Sequence, residues 1–199
     1  MEQLIYRPSN LDGALRQGEI ITDFTQVIVE RDDSGSDTGL SYRLHPYVIV
    51  LTQDCDLDLD YRARNETVQA DKEIPGILFC EVMTAERMFR KVKGSDLWKR
   101  IRGNNDPRYQ FLTTVSQNLD AEGTGLPELA IDFKRYFTVP PDEVHHRLQR
   151  ETSYPDGRVM RAIRRAVMES PYLEHLSTRF AQYFSRIALP GPHQSDPVL

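Results

Sequence analysis

The chain has 199 residues, of which 39% are hydrophobic and 28% charged, and its formal net charge is −5. These proportions are typical of a globular protein and exclude an intrinsically disordered chain. The negative balance excludes a protein that holds nucleic acid through its overall charge, although it leaves local basic patches open. The only two cysteines, Cys55 and Cys80, lie beside apolar segments and are predicted to be reduced thiols rather than a disulfide.

The sequence contains no apolar run near the roughly 20 residues that a membrane-spanning helix needs. The N-terminal residues MEQLIYRPSN lack the basic start and long apolar stretch of a signal peptide. We therefore expect a cytoplasmic protein that does not bind membranes.

Three predicted β-strands occupy the N-terminal half. The first is the run EIITDFTQVIVE after Gly18, which is either one long bent strand or two short ones, and a polar loop, RDDSGSDTG, follows it. The second strand covers residues 47–51, and the third covers residues 77–82 after a Pro-Gly turn. Short strands with no helix between them favour an antiparallel sheet that closes as a small barrel. We place the core of this barrel at about residues 14–84.

An acidic segment, QDCDLDLD, follows the second predicted strand. Loops at strand ends often carry function, so its first residues are candidate binding residues, namely Gln53, Asp54, Cys55 and Asp56. The alternating aspartates resemble the start of a calcium loop, but Leu59 stands where an EF-hand needs glycine. Alternating carboxylates on a strand share one face, which leaves two interpretations. We favour a solvated edge strand over a divalent-metal site, and predict no metal ligands and no cofactor.

The acidic segment also contains Cys55, which has two interpretations, a nucleophile or a small buried residue. Two flanking aspartates disfavour a thiolate, so Cys55 is predicted to be a small buried residue rather than a nucleophile. His145 and His146 lie on a polar, proline-led segment and are predicted to be surface residues. Cys55, Cys80 and the two histidines do not have the close spacing of a zinc site.

The chain is segmented by charge. Residues 86–108 carry eight basic and three acidic side chains, whereas residues 54–73 are mainly acidic. Either the two segments pack together and neutralise each other, or the basic one forms an interaction surface. Its candidate binding residues are Arg87, Arg90, Arg100 and Arg108.

Two short helices and two strands are predicted in the middle of the chain. Thr84 can cap a helix that carries Met88, Phe89 and Val92, and a second helix covers residues 96–102 before Gly103. Residues 109–115 and 129–139 are rich in aromatic and β-branched residues. Each of these two segments is predicted to add a strand to the sheet.

The last third of the chain is predicted to be helical. Residues 158–168 have apolar residues at helical spacing, and a second apolar stripe from Leu173 to Ile187 predicts a helix ending near residue 188. The predicted fold class is α+β, a small SH3-like antiparallel barrel with inserted short helices and a C-terminal helical extension. The predicted domains are 1–140 for the barrel domain, 141–190 for the extension and 191–199 for a mobile tail.

The N-terminal region resembles a known family. The order GEIITDF, a polar loop, HPYVIVLTQDCD and ILFCEV is similar to the SH3-like barrel of the MazF/PemK/Kid family of toxin endoribonucleases. In that family a glycine-led strand precedes a loop, an Arg-Pro pair and a V-x-V-L-[ST] strand. The chain also resembles larger bacterial proteins that carry a T-Q-x-C-D-[LI] segment on such a barrel. These resemblances imply a bacterial toxin–antitoxin or phage-defence system.

The departures from the family pattern decide the functional prediction. The family's catalytic arginine corresponds to His45, and its catalytic threonine or serine lies near Cys80 and Glu81. Because both positions are altered, we favour a non-enzymatic module that binds a protein partner or nucleic acid, with a homodimer as a further expectation. The alternative is a divergent, metal-independent endoribonuclease that uses His45 and Glu81 as acid and base while arginines hold the RNA phosphates.

Overall fold

A computed structural model describes residues 4–66, 70–92, 94–154 and 157–185. Within these ranges nine strands and five α-helices alternate irregularly along the chain, so the fold class is α+β, as predicted. In chain order the elements are β1 (Tyr6–Pro8), β2 (Glu19–Arg31), β3 (Asp37–Val50), α1 (Asp54–Glu66), β4 (Ile77–Thr84), α2 (Ala85–Val92), α3 (Ser95–Arg102), β5 (Tyr109–Leu112), β6 (Leu129–Val139), α4 (Pro141–Gln149), β7 (Thr152–Ser153), β8 (Val159–Met160), β9 (Ile163–Met168) and α5 (Tyr172–Phe184).

Seven strands form one antiparallel sheet in the order β1-β9-β2-β3-β4-β6-β5. In the described part of the chain no strand pairing joins β1 to β5, so the structure shows no closed barrel. The two ends of the sheet nevertheless approach each other. The hydroxyl of Tyr6 donates to the carbonyl of Thr113 at 3.2 Å, and the amide of Ala121 donates to the carbonyl of Arg165 at 2.8 Å.

Most local predictions in the first 140 residues are confirmed. The apolar segments predicted as strands overlap β2, β3, β4 and β5, but Leu51 and residues 113–115 lie outside these strands, and β6 has the predicted bounds. Helices α2 and α3 occupy the predicted positions, and the Thr84 hydroxyl accepts a hydrogen bond from the amide of Arg87 at 3.3 Å, as a capping residue does.

Apolar side chains cover both faces of the sheet, because successive residues of a strand point to opposite sides. On one face, here named the α5 face, Cys80 and Val82 of β4 pack with Leu176 of α5. On the opposite face there are two separate apolar clusters. One packs Phe79 beneath α1 and α4, and the other packs Met83 beneath α2 and α3. Glu81 lies between Phe79 and Met83 along β4, so it faces the gap between these clusters.

The acidic segment is a helix, which corrects the prediction of a loop or edge strand. Asp54 starts α1 and accepts hydrogen bonds from the side chain of Arg16 and from the amide of Gln17. Ion pairs between residues four apart then support the helix, and they are Asp58 with Arg62 and Asp60 with Arg64. The carboxylates therefore neither alternate across a sheet nor form an edge.

Residues 158–168 are not helical, which corrects a second prediction. They contain β8 and β9, and β9 lies between β1 and β2 in the main sheet. The last third of the chain therefore contributes to the sheet as well as forming α4 and α5. Helix α5 confirms the predicted apolar stripe as far as Phe184, and the predicted tail lies outside the described residues. Among the helices of the described ranges, none is long and apolar enough to cross a membrane.

Candidate functional site

A large bulge in β6 creates the polar centre of the face opposite α5. Val82 of β4 pairs with Ile131 and Cys80 pairs with Tyr136, so the four residues Asp132–Arg135 of β6 stand opposite the single residue Glu81. The extra residues leave the regular ladder and re-aim their side chains, as β-bulges commonly do. One result is that the guanidinium of Arg135 reaches the carboxylate of Glu81 and forms an ion pair with it.

His45 reaches the same carboxylate from the neighbouring strand. Its Nδ1 lies 3.2 Å from Oε1 of Glu81, and its Nε2 lies 3.2 Å from Oε1 of Gln26. The imidazole also stacks on the ring of Phe137 with a centroid distance of 4.5 Å, and only 3% of the residue is exposed. Both ring nitrogens of His45 therefore have partners within the protein.

The environment of Glu81 holds it ionised at neutral pH. Burial alone raises the pKa of a carboxyl group, but hydrogen bonds from His45 and Arg135 outweigh this effect and bring the pKa of Glu81 down to about 2. A carboxylate with such a low pKa accepts a proton poorly near neutral pH. Its physical role here is to bind and orient the two neighbouring side chains.

Cationic side chains surround this pair in a cleft of about 350 Å³. The cleft is bounded by β3, β4, β6 and α2. Its charged lining residues are four cations and one carboxylate, namely Arg43, Arg87, Lys91, Arg135 and Glu81. The side chains of Arg43 and Arg87 are exposed and make no hydrogen bond or ion pair with any residue that the structure describes. The cleft is thus a local positive patch on a chain of net negative charge.

A buried ionic anchor holds one wall of the cleft. Arg108 donates two hydrogen bonds to the fully buried carboxylate of Asp132, at 2.7 and 2.8 Å, and Lys91 lies 3.4 Å from the same group. These contacts hold the bulge of β6 against the end of α2. The thiol of Cys80 donates to the carbonyl of Asp132 at 3.1 Å, and burial raises the pKa of this thiol.

The structure brings only some of the candidate residues together. His45, Glu81 and Arg87 line one cleft, whereas Arg108 supports its wall. Arg90 pairs with Glu86 on the exposed side of α2, and Arg100 lies 3.5 Å from Asp106. The candidate residues of the acidic segment lie elsewhere, at the start of α1, and they are Gln53, Asp54, Cys55 and Asp56. Cys55 is exposed, so the prediction that it is buried is wrong.

The two oppositely charged segments do not neutralise each other. Asp54, Asp58 and Asp60 pair with Arg16, Arg62 and Arg64, respectively. In the ranges that the structure covers, no ion pair joins residues 54–73 to the basic segment, whose partners are Glu86, Asp96, Asp106, Glu128 and Asp132.

Sequence reasoning missed several residues of the cleft. Gln26 and Arg43 lie on the extended parts of β2 and β3, and Arg135 lies in the bulge. Gln26 and Arg43 are a register pair of the β2–β3 hairpin, so recognition of the full hairpin would have placed them near His45. No sequence pattern marks a four-residue bulge. Among the described residues no group of three or more His, Cys, Asp or Glu side chains is arranged to hold a metal ion.

Comparisons with protein-family models, with curated proteins and with solved structures give no match to this chain.

Proposed function

We propose that this protein is a non-enzymatic module that binds RNA through the cationic cleft beside His45. The observation that carries the proposal is the pair of exposed, unpaired guanidinium groups of Arg43 and Arg87 at one cleft. Arginine forms strong, planar hydrogen bonds with phosphate oxygens, and phosphate contacts supply most of the affinity of sequence-independent binding. Lys91 and Arg135 extend the positive field of the cleft.

The arrangement of the cleft favours binding over catalysis. A general acid or base must reach the reacting atoms of the substrate within hydrogen-bond distance. His45 is buried, and both of its nitrogens are engaged by Glu81 and Gln26. Glu81 is engaged by His45 and Arg135. We infer that the His45–Glu81 pair stiffens the floor of the cleft and positions Arg135, while the surrounding cations contact the ligand.

Contacts between opposite ends of the sheet support a relationship to small SH3-like barrels. We propose that the sheet is an expanded and incompletely closed version of such a barrel. The approach of Tyr6 to Thr113 and of Ala121 to Arg165 supports this proposal, because it brings opposite ends of the sheet together. Membership of a toxin–antitoxin or phage-defence system, and binding to a protein partner or a second copy, remain proposals that rest on the sequence resemblance.

Fluorescence anisotropy with a labelled single-stranded RNA tests the binding proposal. The variant Arg43→Gln/Arg87→Gln is expected to bind at least about tenfold more weakly, because it removes two charged contacts to phosphate. The salt dependence of its binding should also fall, since each lost phosphate contact lowers the slope of log K against log salt by roughly 0.7.

The matched control is Arg31→Gln/Arg62→Gln, which removes the same charge from exposed arginines outside the cleft. This control should bind RNA as the wild type does. Equal losses in both variants would mean that only the overall charge matters. No binding by the wild type at low salt would refute the proposal.

The contact between His45 and Glu81 keeps the endoribonuclease as a second candidate, because a histidine beside a carboxylate is a common acid–base arrangement. Incubation of RNA with the wild type and with His45→Ala separates the two functions. The binding proposal predicts intact RNA in both samples. Cleavage by the wild type that disappears in His45→Ala would establish the enzyme instead.

A further inference from the structure

A second cavity, of about 410 Å³, lies away from the cationic cleft. Five parts of the chain enclose it, namely the loop before β2, helix α1, the loop before β6 that carries Glu122, helix α4 and residues 161–164 at the start of β9. Its volume is within the range of protein sites that bind small molecules. The RNA-binding proposal makes no use of this cavity.

Several polar side chains line the cavity without a partner. His145 is half-buried and Arg161 is exposed, and neither side chain makes a hydrogen bond or ion pair with another residue in the described ranges. The ring nitrogens of His145 are not among the fully buried polar atoms, so a ligand in the cavity can reach them. Both groups can donate hydrogen bonds to an anionic oxygen of a ligand.

The other arginines of the cavity are already engaged. Arg164 donates to Glu19 and to the carbonyls of Gly13 and Ala14, and Arg64 pairs with Asp60 and Asp142. These two arginines line the cavity, but their charges are already paired with carboxylates of the protein. Arg161 is therefore the cation of this cavity that remains available, among the residues that the structure describes.

Two carboxylates and several apolar side chains complete the lining of the cavity. Asp12 and Glu122 are exposed, and their carboxylates make no hydrogen bond or ion pair within the described part of the chain. Leu15 and Ala162 are buried, and with Leu148 they provide an apolar wall. One cavity thus offers a cation with an imidazole, two carboxylates and an apolar surface.

From this combination we propose that the cavity binds a small zwitterion with an apolar side chain, chemically an α-amino acid such as leucine or phenylalanine. Arg161 and His145 bind its carboxylate, because charge-assisted hydrogen bonds to a carboxylate are the strongest available here. Asp12 and Glu122 bind its ammonium group. The apolar wall takes its side chain, whose removal from water adds affinity. This proposal does not depend on RNA binding.

Isothermal titration calorimetry of the full chain with L-leucine tests the proposal. Two analogues serve as matched probes, 4-methylpentanoate, which lacks the ammonium group, and 3-methylbutylamine, which lacks the carboxylate. Leucine is expected to bind saturably, and each analogue should bind at least about tenfold more weakly, because each loses one set of charge-assisted contacts. Phenylalanine is tested in the same way.

Arg161→Ala should weaken leucine binding about tenfold and leave binding of the amine analogue unchanged. His145→Gln is a second, conservative variant, and Arg31→Ala is a control outside the cavity. Circular dichroism establishes that the variants remain folded. The proposal is overturned if neither amino acid gives saturable heat up to about 10 mM, if leucine and its analogues bind equally, or if Arg161→Ala binds leucine as the wild type does.

Discussion

Arg108 and Asp132 form the best-defined ion pair beside the cationic cleft, with the guanidinium in a two-point contact with a carboxylate that is fully buried. The pair ties the loop before β5 to the bulge of β6. Because Asp132 has no contact with solvent, Arg108 is its main counter-charge, and Lys91 lies 3.4 Å from the same carboxylate.

Arg108→Ala is therefore expected to lower the free energy of unfolding by about 3 kcal/mol, because it leaves a buried carboxylate without its main counter-charge. Urea denaturation followed by circular dichroism measures this change. The control Arg62→Ala removes an exposed ion pair with Asp58 and should change stability by less than about 1 kcal/mol. If both substitutions lower the free energy of unfolding by equally small amounts, then Arg108 does not stabilise the buried carboxylate of Asp132.

Stability should fall in acid through two identified carboxylates. The pKa values of Glu81 and Asp120 are both about 2, below their ordinary values of 4.5 and 3.8, because hydrogen bonds from His45 and Arg135 and from Arg165 outweigh the effect of burial. A depressed pKa in the folded state stabilises the protein above the unfolded pKa, and this contribution disappears as the folded group is protonated.

Urea denaturation as a function of pH is therefore expected to show stability falling between about pH 5 and pH 2. Asp120→Asn and Glu81→Gln should each flatten this part of the curve. An unchanged pH dependence in both variants would contradict the assignment.

The contact between Arg135 in the bulge and Glu81 leads to a prediction about the pKa of Glu81. Arg135→Ala should raise the pKa of Glu81 toward its ordinary value, because one of the two groups that stabilise its charge is lost. Carboxyl-detected NMR titration measures this pKa directly. Lys134→Ala, which removes a neighbouring exposed cation of the bulge, should leave it nearly unchanged. If the pKa of Glu81 is the same in Arg135→Ala as in the wild type, the contact between Arg135 and Glu81 is disproved.

The two cysteines are expected to differ in reactivity. Cys55 is exposed at the start of α1, whereas Cys80 is buried with a raised pKa and donates to the carbonyl of Asp132. Because the thiolate is the reactive form, a chromogenic disulfide reagent should modify Cys55 in the native protein and reach Cys80 only after denaturation. Native Cys55→Ser should give no rapid reaction, and modification of Cys80 in that variant would contradict its burial.

Local sequence signals predicted the elements that local interactions determine. The segment 129–139 is rich in β-branched and aromatic residues, and it forms β6 with those bounds. The spacing of Met88 and Val92, together with the capping hydroxyl of Thr84, was sufficient to locate α2. In each case the periodicity and the flanking residues favour the same structure.

Two elements were mispredicted for different physical reasons. In α1 the alternation of aspartate and leucine suggested a strand, but the ion pairs of Asp58 with Arg62 and of Asp60 with Arg64 have helical spacing and were the better signal. In β9 the apolar residues have helical spacing, yet the strand is buried on both faces, a pattern that periodicity cannot distinguish from a buried helix. Its arginines find their partners, Glu19 and Asp120, far away in the sequence.

The candidate site, like the fold, was predicted only in part from the sequence. The sequence resemblance to a toxin family drew attention to His45 and Glu81, and the structure brings these two residues within 3.2 Å of each other. Their roles remain predictions. The four cations that give the cleft its charge come from three separate elements, β3, α2 and β6, and the bulge brings Arg135 into the cleft. Only the three-dimensional arrangement therefore reveals the patch.

The position of β9 has a consequence for synthesis of the chain. Strands β1 and β2 leave the ribosome early, but the strand that lies between them is among the last parts of the described sheet to be made. Until β9 emerges, the nascent chain exposes an unpaired edge on β2 and leaves β1 without its neighbour, a condition that invites aggregation. The main sheet is thus completed only after β9 has been synthesised, and a chaperone that shields the open edge would be most useful before that point.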